Sequence, residues 1–402
     1  MRVSSLSKKD YLRIILWVIL TIIVLGYFRN TLRKGMNDFR VVHRAAGRVL
    51  HRENLYNFDD GHYLYKYSPF FAVLVAPLGL LSFKAGEVIW LLGMCLCLSF
   101  VLTQCKRMIL GDKPPPLYLY ILTILFASKF LVREITLGQT DFLILVFVFL
   151  FISFTDKEKY FLSGLFLSLA VMIKPSCLIF VPYLLYKGRI KLIVYSAITG
   201  ALLLLVPSLI YGFPTNLSLL AGWKTVMSVS SPPLLAVDLN QSLFAFFYRF
   251  LTPTPQHVNI LNLNYTSVKV LIYIIILSLF FFLLFLNRRS KYAEGILFQH
   301  RECIEYSLLL IFMSLFSPLG WVQNYSSSIL ALMILIYYVL KTGFRDKFTV
   351  SLMLLFFILV DLINFEIVGR RMNDYSLYLS FLTWGIFILI FCISRLRLSK
   401  IV

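Results

Sequence analysis

Asp38 is the first acid after an early apolar run, Tyr11–Tyr27, and it opens a long polar stretch, Phe28–Lys66. Arg40, Arg44 and Arg48 follow it four residues apart, so they share one face of a helix. A carboxylate just outside a bilayer, beside a row of arginines, can act as a base next to a lipid phosphate. The planar guanidinium fork suits such a phosphate. The same residues also fit a plainer role. Asp38 then caps or complements the helix dipole, and the arginines reach lipid headgroups.

Lys174 stands inside an apolar stretch, directly before Pro175. An intramembrane charge is costly and is a functional candidate by default, although a lysine at a hairpin tip can also simply reach the interface. Either way, its ammonium is expected to face a cavity where an anionic leaving group could meet it. Three polar corners complete the set: Arg133-Glu134…Gly138-Gln139…Asp141; Asp238-Leu239-Asn240-Gln241-Ser242 with Arg249; and Ser317-Pro318-Leu319-Gly320-Trp321 followed by Gln323-Asn324-Tyr325. Amides and aromatic faces are what a sugar site needs.

The elements that must hold these residues are membrane helices. Of 402 residues, 59% are hydrophobic and 14% charged. A soluble domain is nearer half apolar and a quarter charged. The net charge of +20 comes from basic residues in short loops between apolar runs. That pattern follows the positive-inside rule and removes nucleic acid as an expected partner. The six cysteines fall in spans or in loops expected on the cytoplasmic side, so they form neither a disulfide framework nor a metal site.

The expected fold is an all-α polytopic membrane protein of about ten full spans. The candidates are Tyr11–Tyr27, Ala85–Cys105, Leu117–Val132, Gln139–Thr155, Leu192–Tyr211, Val268–Leu286, Ile304–Leu319, Ser326–Leu340, Phe348–Asn364 and Ser376–Ser394. Two interrupted stretches add a short re-entrant segment, Phe70–Phe83, and a broken helical hairpin, Tyr160–Tyr186, with Lys174-Pro175 at its tip. Met36–Leu50 reads as an amphipathic helix on the membrane surface. The basic loops put both termini in the cytoplasm and the polar corners outside. The whole chain, 1–402, reads as one membrane unit, with 28–66 as its first extracytoplasmic loop.

These residues, in this order, resemble glycosyltransferase family 87 of the GT-C superfamily, which includes polyprenyl-phosphate-mannose-dependent mannosyltransferases. The matching pieces are Asp38 followed by a helix and Tyr56; Tyr67-Ser68-Pro69; Gly138-Gln139; Gly164 leading to Lys174-Pro175; Asn240-Gln241-Ser242 with Arg249; and Ser317-Pro318…Trp321. Together they span residues 36 to 325. The resemblance implies a GT-C fold in the plasma (inner) membrane and a metal-independent, inverting transfer with no cofactor. The implied partners are a polyprenyl-phosphate sugar, the bilayer, and a glycolipid or glycan acceptor. It makes Asp38 the expected catalytic residue. Lys174, Arg249 and Arg44 are then expected at the donor phosphate. Tyr67, Gln139, Asn240, Gln241, Trp321, Gln323 and Asn324 are expected around sugar and acceptor. Where the family often has histidine after Trp321, this chain has Gln323 and Asn324. A transporter or flippase of a lipid-linked or small anionic substrate is the competing reading, because broken helices and intramembrane lysines also occur at transport sites.

Overall fold

The computed structural model describes residues 25–254, 258–288, 298–300 and 302–398. The candidate span Tyr11–Tyr27 lies almost wholly outside them. Among the described residues the regular structure is helical, and the only extended pairing is one antiparallel bridge between Asn240 and Trp321.

Among the described residues, five helices are long and apolar enough to cross a membrane: Phe83–Leu110, Ile190–Tyr211, Tyr265–Leu286, Val322–Lys341 and Phe381–Leu398. The number rises to seven if two sharply bent pairs each count as one span. The chain is thus a multi-pass helical membrane protein. The expectation of ten full spans counts apolar runs, and several of those runs fold as shorter pieces. Leu117–Val132 is cut at Ala127 into Leu117–Phe126 and Ser128–Leu137. The candidate Ile304–Leu319 yields a helix of only 13 residues, Cys303–Leu315. Val322–Lys341 is almost wholly enclosed by protein, whereas Ile190–Tyr211 and Tyr265–Leu286 turn most of their apolar surface outward, as helices facing lipid do.

The Tyr160–Tyr186 segment breaks where proline dictates. Pro175 disfavours helical geometry in the preceding residue, and Lys174 is extended, with φ −134° and ψ 115°. Helix Tyr160–Ile173 packs against Ile190–Leu205. A Cβ on Gly164 would lie 2.7 Å from Ser196 N, and Ser168 Oγ donates to Ser196 O at 2.7 Å. One turn further along, Met172 clusters with Leu203. Rising numbers match rising numbers, so these two helices run parallel and the chain between them must turn back. The returning piece passes Cys303–Leu315 in the opposite sense: Cys177 meets Met313 and Tyr183 meets Glu305. Lys174 is therefore the tip of the hairpin.

The far end of the hairpin is basic and cross-linked. Lys187 lies 2.6 Å from Glu305, Arg189 lies 2.8 Å from Glu302, and His300 lies 2.8 Å from Asp156. At the Lys174 end, Ser68 caps Pro69–Val75, and the short turn Ala76–Leu80 follows. This segment packs on helix Asn37–Leu50. Gly79 makes the contact, because a Cβ there would lie 2.7 Å from the Ala46 and Gly47 backbone. Phe39, Val42, Ala45, Ala46 and Val49 form the buried face of that helix.

Candidate active site

Gly138 explains how Asp38 meets its partner. The chain bends by 114° between helices Ser128–Leu137 and Asp141–Asp156. Gly138 makes the turn at φ +71°, a conformation glycine adopts without a Cβ penalty. A Cβ there would stand 2.8 Å from Phe39 Cβ and 2.9 Å from Met36 Cβ. Trp90 Nε1 fixes the turn by donating to Gly138 O at 2.9 Å. The start of helix Asn37–Leu50 can thus lie directly on the turn. Glu87 anchors that start from the other side by accepting from Met36 N at 2.7 Å. Gln139, the next residue, donates through Nε2 to Asp38 Oδ2.

A second cluster assembles around Asp141. Its carboxylate oxygens lie 2.7 and 2.8 Å from Lys174 Nζ, and Asn324 Nδ2 donates to Oδ2 at 2.9 Å. Glu134, fully buried, accepts from the backbone N–H groups of Asp141 and Phe142 at 2.7 and 3.2 Å. A carboxylate at the first turn of a helix satisfies donors that have no intrahelical partner. Asn324 is itself pinned, since its Oδ1 accepts from Trp321 N at 2.8 Å.

The third wall is the extended run 64–67. Leu64 and Lys66 line the cavity, while Tyr65 between them is buried and donates to Ser68 O at 3.0 Å. Tyr67 lines the cavity as well. Trp223 Nε1 donates to Lys66 O at 3.0 Å, and Tyr56 donates to Tyr67 O at 2.8 Å. Ser68 N reaches Met172 O at 3.4 Å, which ties this run to the broken helix. Burial lowers the Lys66 ammonium below its usual value, and the nearby Asp38 carboxylate partly offsets that.

Together these walls enclose a cavity of about 750 Å³. Its lining includes the polar side chains Asp38, Lys66, Arg133, Gln139, Asp141, Lys174, Gln323 and Asn324 and the apolar side chains Ile173, Ile179, Met227, Leu234, Phe312 and Phe316. Gln323 is buried, and among the described residues its side-chain amide makes no hydrogen bond. Of the residues expected at the site, Asp38, Tyr67, Gln139, Lys174, Trp321, Gln323 and Asn324 all line this one cavity.

Four others do not. Arg44 pairs with Asp60 at 2.7 Å, and Arg48 pairs with the same carboxylate. Burial would raise Asp60, but the hydrogen bonds and charges of Arg48 and Arg44 outweigh it and hold the carboxyl below its usual range. The arginine stripe is thus largely spent within its own loop. Asn240, Gln241 and Arg249 are fully buried and serve a corner instead. Asn240 Nδ2 donates to Pro318 O at 2.9 Å, and its Oδ1 accepts from Gly320 N at 2.9 Å. Gln241 N donates to Gly320 O at 2.8 Å. Arg249 donates to the carbonyls of Val237 and Asn240, both at 2.7 Å, and to Ser380. These residues hold Trp321 in place without touching the cavity.

Sequence reasoning groups Arg133 and Asp141 in a polar corner without giving them a role, and it passes over Lys66. A signal for Lys66 was present: a lone cation in an alternating Leu-Tyr-Lys-Tyr run just before a Ser-Pro helix start.

A model of glycosyltransferase family 87 matches residues 65–318, more than half of the chain. The chain belongs to that family and is a glycosyltransferase. The match takes in Lys66, Tyr67, Arg133, Gln139, Asp141 and Lys174; Asp38 lies before it, and Trp321, Gln323 and Asn324 lie after it. No curated protein and no solved structure matches the chain significantly.

Proposed function

We propose that the protein transfers a hexose, with mannose the first candidate, from a polyprenyl-phosphate sugar to a lipid-linked or envelope glycan acceptor. The reaction is assigned to the extracytoplasmic face of the plasma membrane, with both termini in the cytoplasm. The observation that carries this reading is Asp38, held by Gln139 on the wall of a cavity lined by both charged and apolar side chains. Apolar and cationic side chains lining one cavity suit an isoprenoid phosphate, and the amides of Gln323 and Asn324 with the Trp321 ring suit a sugar.

In this reaction Asp38 accepts the proton of the acceptor hydroxyl. The hydroxyl oxygen attacks the anomeric carbon from the face opposite the phosphate. The bond from the anomeric carbon to the phosphate oxygen breaks, and its electron pair leaves with the polyprenyl phosphate. The configuration inverts. Cationic groups on the cavity wall offset the charge that develops on the leaving phosphate.

The test pairs a donor panel with one variant. Purified protein is incubated with polyprenyl-phosphate hexoses and lipid acceptors, and release of polyprenyl phosphate identifies the donor. Asp38→Asn keeps shape and removes the base, so turnover should fall by about 10² to 10⁴. Wild-type turnover in that variant would rule Asp38 out as the base.

A further inference from the structure

Five charged side chains line the cavity: Asp38, Asp141, Lys66, Arg133 and Lys174. They are not equally available to an incoming anion. Lys174, the residue that sequence reasoning favours, already touches both oxygens of Asp141, and Asn324 braces one of them. A phosphate reaching for Lys174 must first compete with a preorganised carboxylate. Lys66 and Arg133 differ. Among the described residues neither side chain makes an ion pair or donates a hydrogen bond.

Their backbone positions are nonetheless set by the fold. Trp223, Tyr56 and Tyr65 fasten the backbone carbonyls of Lys66 and the two residues after it. Arg133 shares its helix face with Leu137, one turn on, which also lines the cavity. Asp141 and Lys174 cancel each other in charge. The remainder, Lys66 and Arg133 against Asp38, leaves the wall with one net positive charge.

We propose that Lys66 and Arg133 form the anion subsite of this cavity, binding the phosphate of a polyisoprenoid phosphate, and that Lys174 is a positioning residue locked to Asp141. The inference rests on the donor class proposed above. A sugar phosphodiester carries one negative charge, and the phosphomonoester it leaves behind carries close to two at neutral pH. A point charge and a planar fork can hold both. The lowered Lys66 ammonium fits a cation that gains most when an anion arrives.

The experiment uses the full-length protein in lipid nanodiscs and measures binding of radiolabelled polyprenyl phosphate, with KM and kcat alongside. Lys66→Met and Arg133→Met should each weaken binding by about ten- to a hundredfold, the range of one charge-assisted hydrogen bond. Lys66→Arg should restore most of that affinity. Lys174→Met should leave affinity within about threefold of wild type and act on kcat. Wild-type binding in Lys66→Met and Arg133→Met, with loss in Lys174→Met, would overturn the subsite while leaving the donor class standing. If wild-type protein itself bound no polyprenyl phosphate, the donor class would fall and the subsite with it.

Discussion

Gly138→Ala should uncouple Asp38 from Gln139 without touching either. Two separate costs can be worked from the geometry. A Cβ at φ +71° costs about 1–2 kcal/mol. The second cost is crowding: the new Cβ would stand 2.8 Å from Phe39 Cβ and 2.9 Å from Met36 Cβ. Both atoms sit at the root of their side chains, so no rotamer change relieves the contact and the whole start of helix Asn37–Leu50 must shift. Overpacking of this kind costs about 1–3 kcal/mol. The sum is about 2–5 kcal/mol, a large part of the stability of an ordinary domain. A shift of a few tenths of an ångström would also stretch the hydrogen bond from Gln139 to Asp38. Gly138→Asn separates the two causes, since asparagine tolerates the left-handed region but still carries the Cβ. The assay is thermal unfolding in detergent together with kcat on the best donor. Both variants should melt earlier than wild type, and kcat should fall with KM for the donor little changed. Wild-type melting and turnover in Gly138→Asn would refute the close-approach argument and leave only backbone strain.

Three more outcomes follow from named contacts. Asp141→Asn strands the Lys174 charge at the tip of the broken helix and should cost more stability than the double change Asp141→Asn with Lys174→Met; equal melting temperatures would show that the pair is not coupled. Asp346 caps helix Lys347–Phe357, and although burial raises its carboxyl, hydrogen bonds from Arg395 and Thr349 outweigh this and hold it at about 2. Its folded value lies below the unfolded one, so its contribution is complete above about pH 4 and fades as pH falls towards 2. The melting difference between wild type and Asp346→Asn should therefore shrink over that window, and a constant difference would contradict the assignment. Arg249→Met leaves the carbonyls of Val237 and Asn240 without their donor and should lower turnover through the Trp321 corner, although Arg249 never reaches the cavity; a variant with unchanged turnover would show that the corner holds without it.

What the sequence made legible was mostly local. A lysine before a proline inside an apolar run predicts an extended break, and the break is at that residue. Glycine before glutamine marks a turn, and the turn brings Gln139 to Asp38. What stayed hidden depends on pairing across the chain. Lys174 and Asp141 are 33 positions apart and meet only because the chain bends by 114° before Asp141. Arg44 and Arg48 read as a free stripe because Asp60, which pairs with both, comes a loop later. Asn240, Gln241 and Arg249 have the right chemistry for a sugar site, yet their polar atoms are consumed by backbone groups and the Ser380 hydroxyl at a corner. Residue type alone does not separate a ligand contact from a brace. The count of about ten spans is not matched by helix length for a related reason: among the described residues five to seven helices are long and apolar enough, while turns at Ala127 and short helices such as Cys303–Leu315 divide other apolar runs.

The parallel packing of Tyr160–Ile173 against Ile190–Leu205 also constrains how the protein is made. The hairpin carries a charged tip and non-helical backbone where protein must cover it, so it has no stable form alone in lipid. Its cover is synthesised later: the Gly164 contact needs Tyr195 and Ser196, and the returning strand of the hairpin needs Met313 and Glu305. The full cover of this segment therefore arrives late in synthesis, since Met313 follows Cys177 by 136 positions and Glu305 follows Tyr183 by 122.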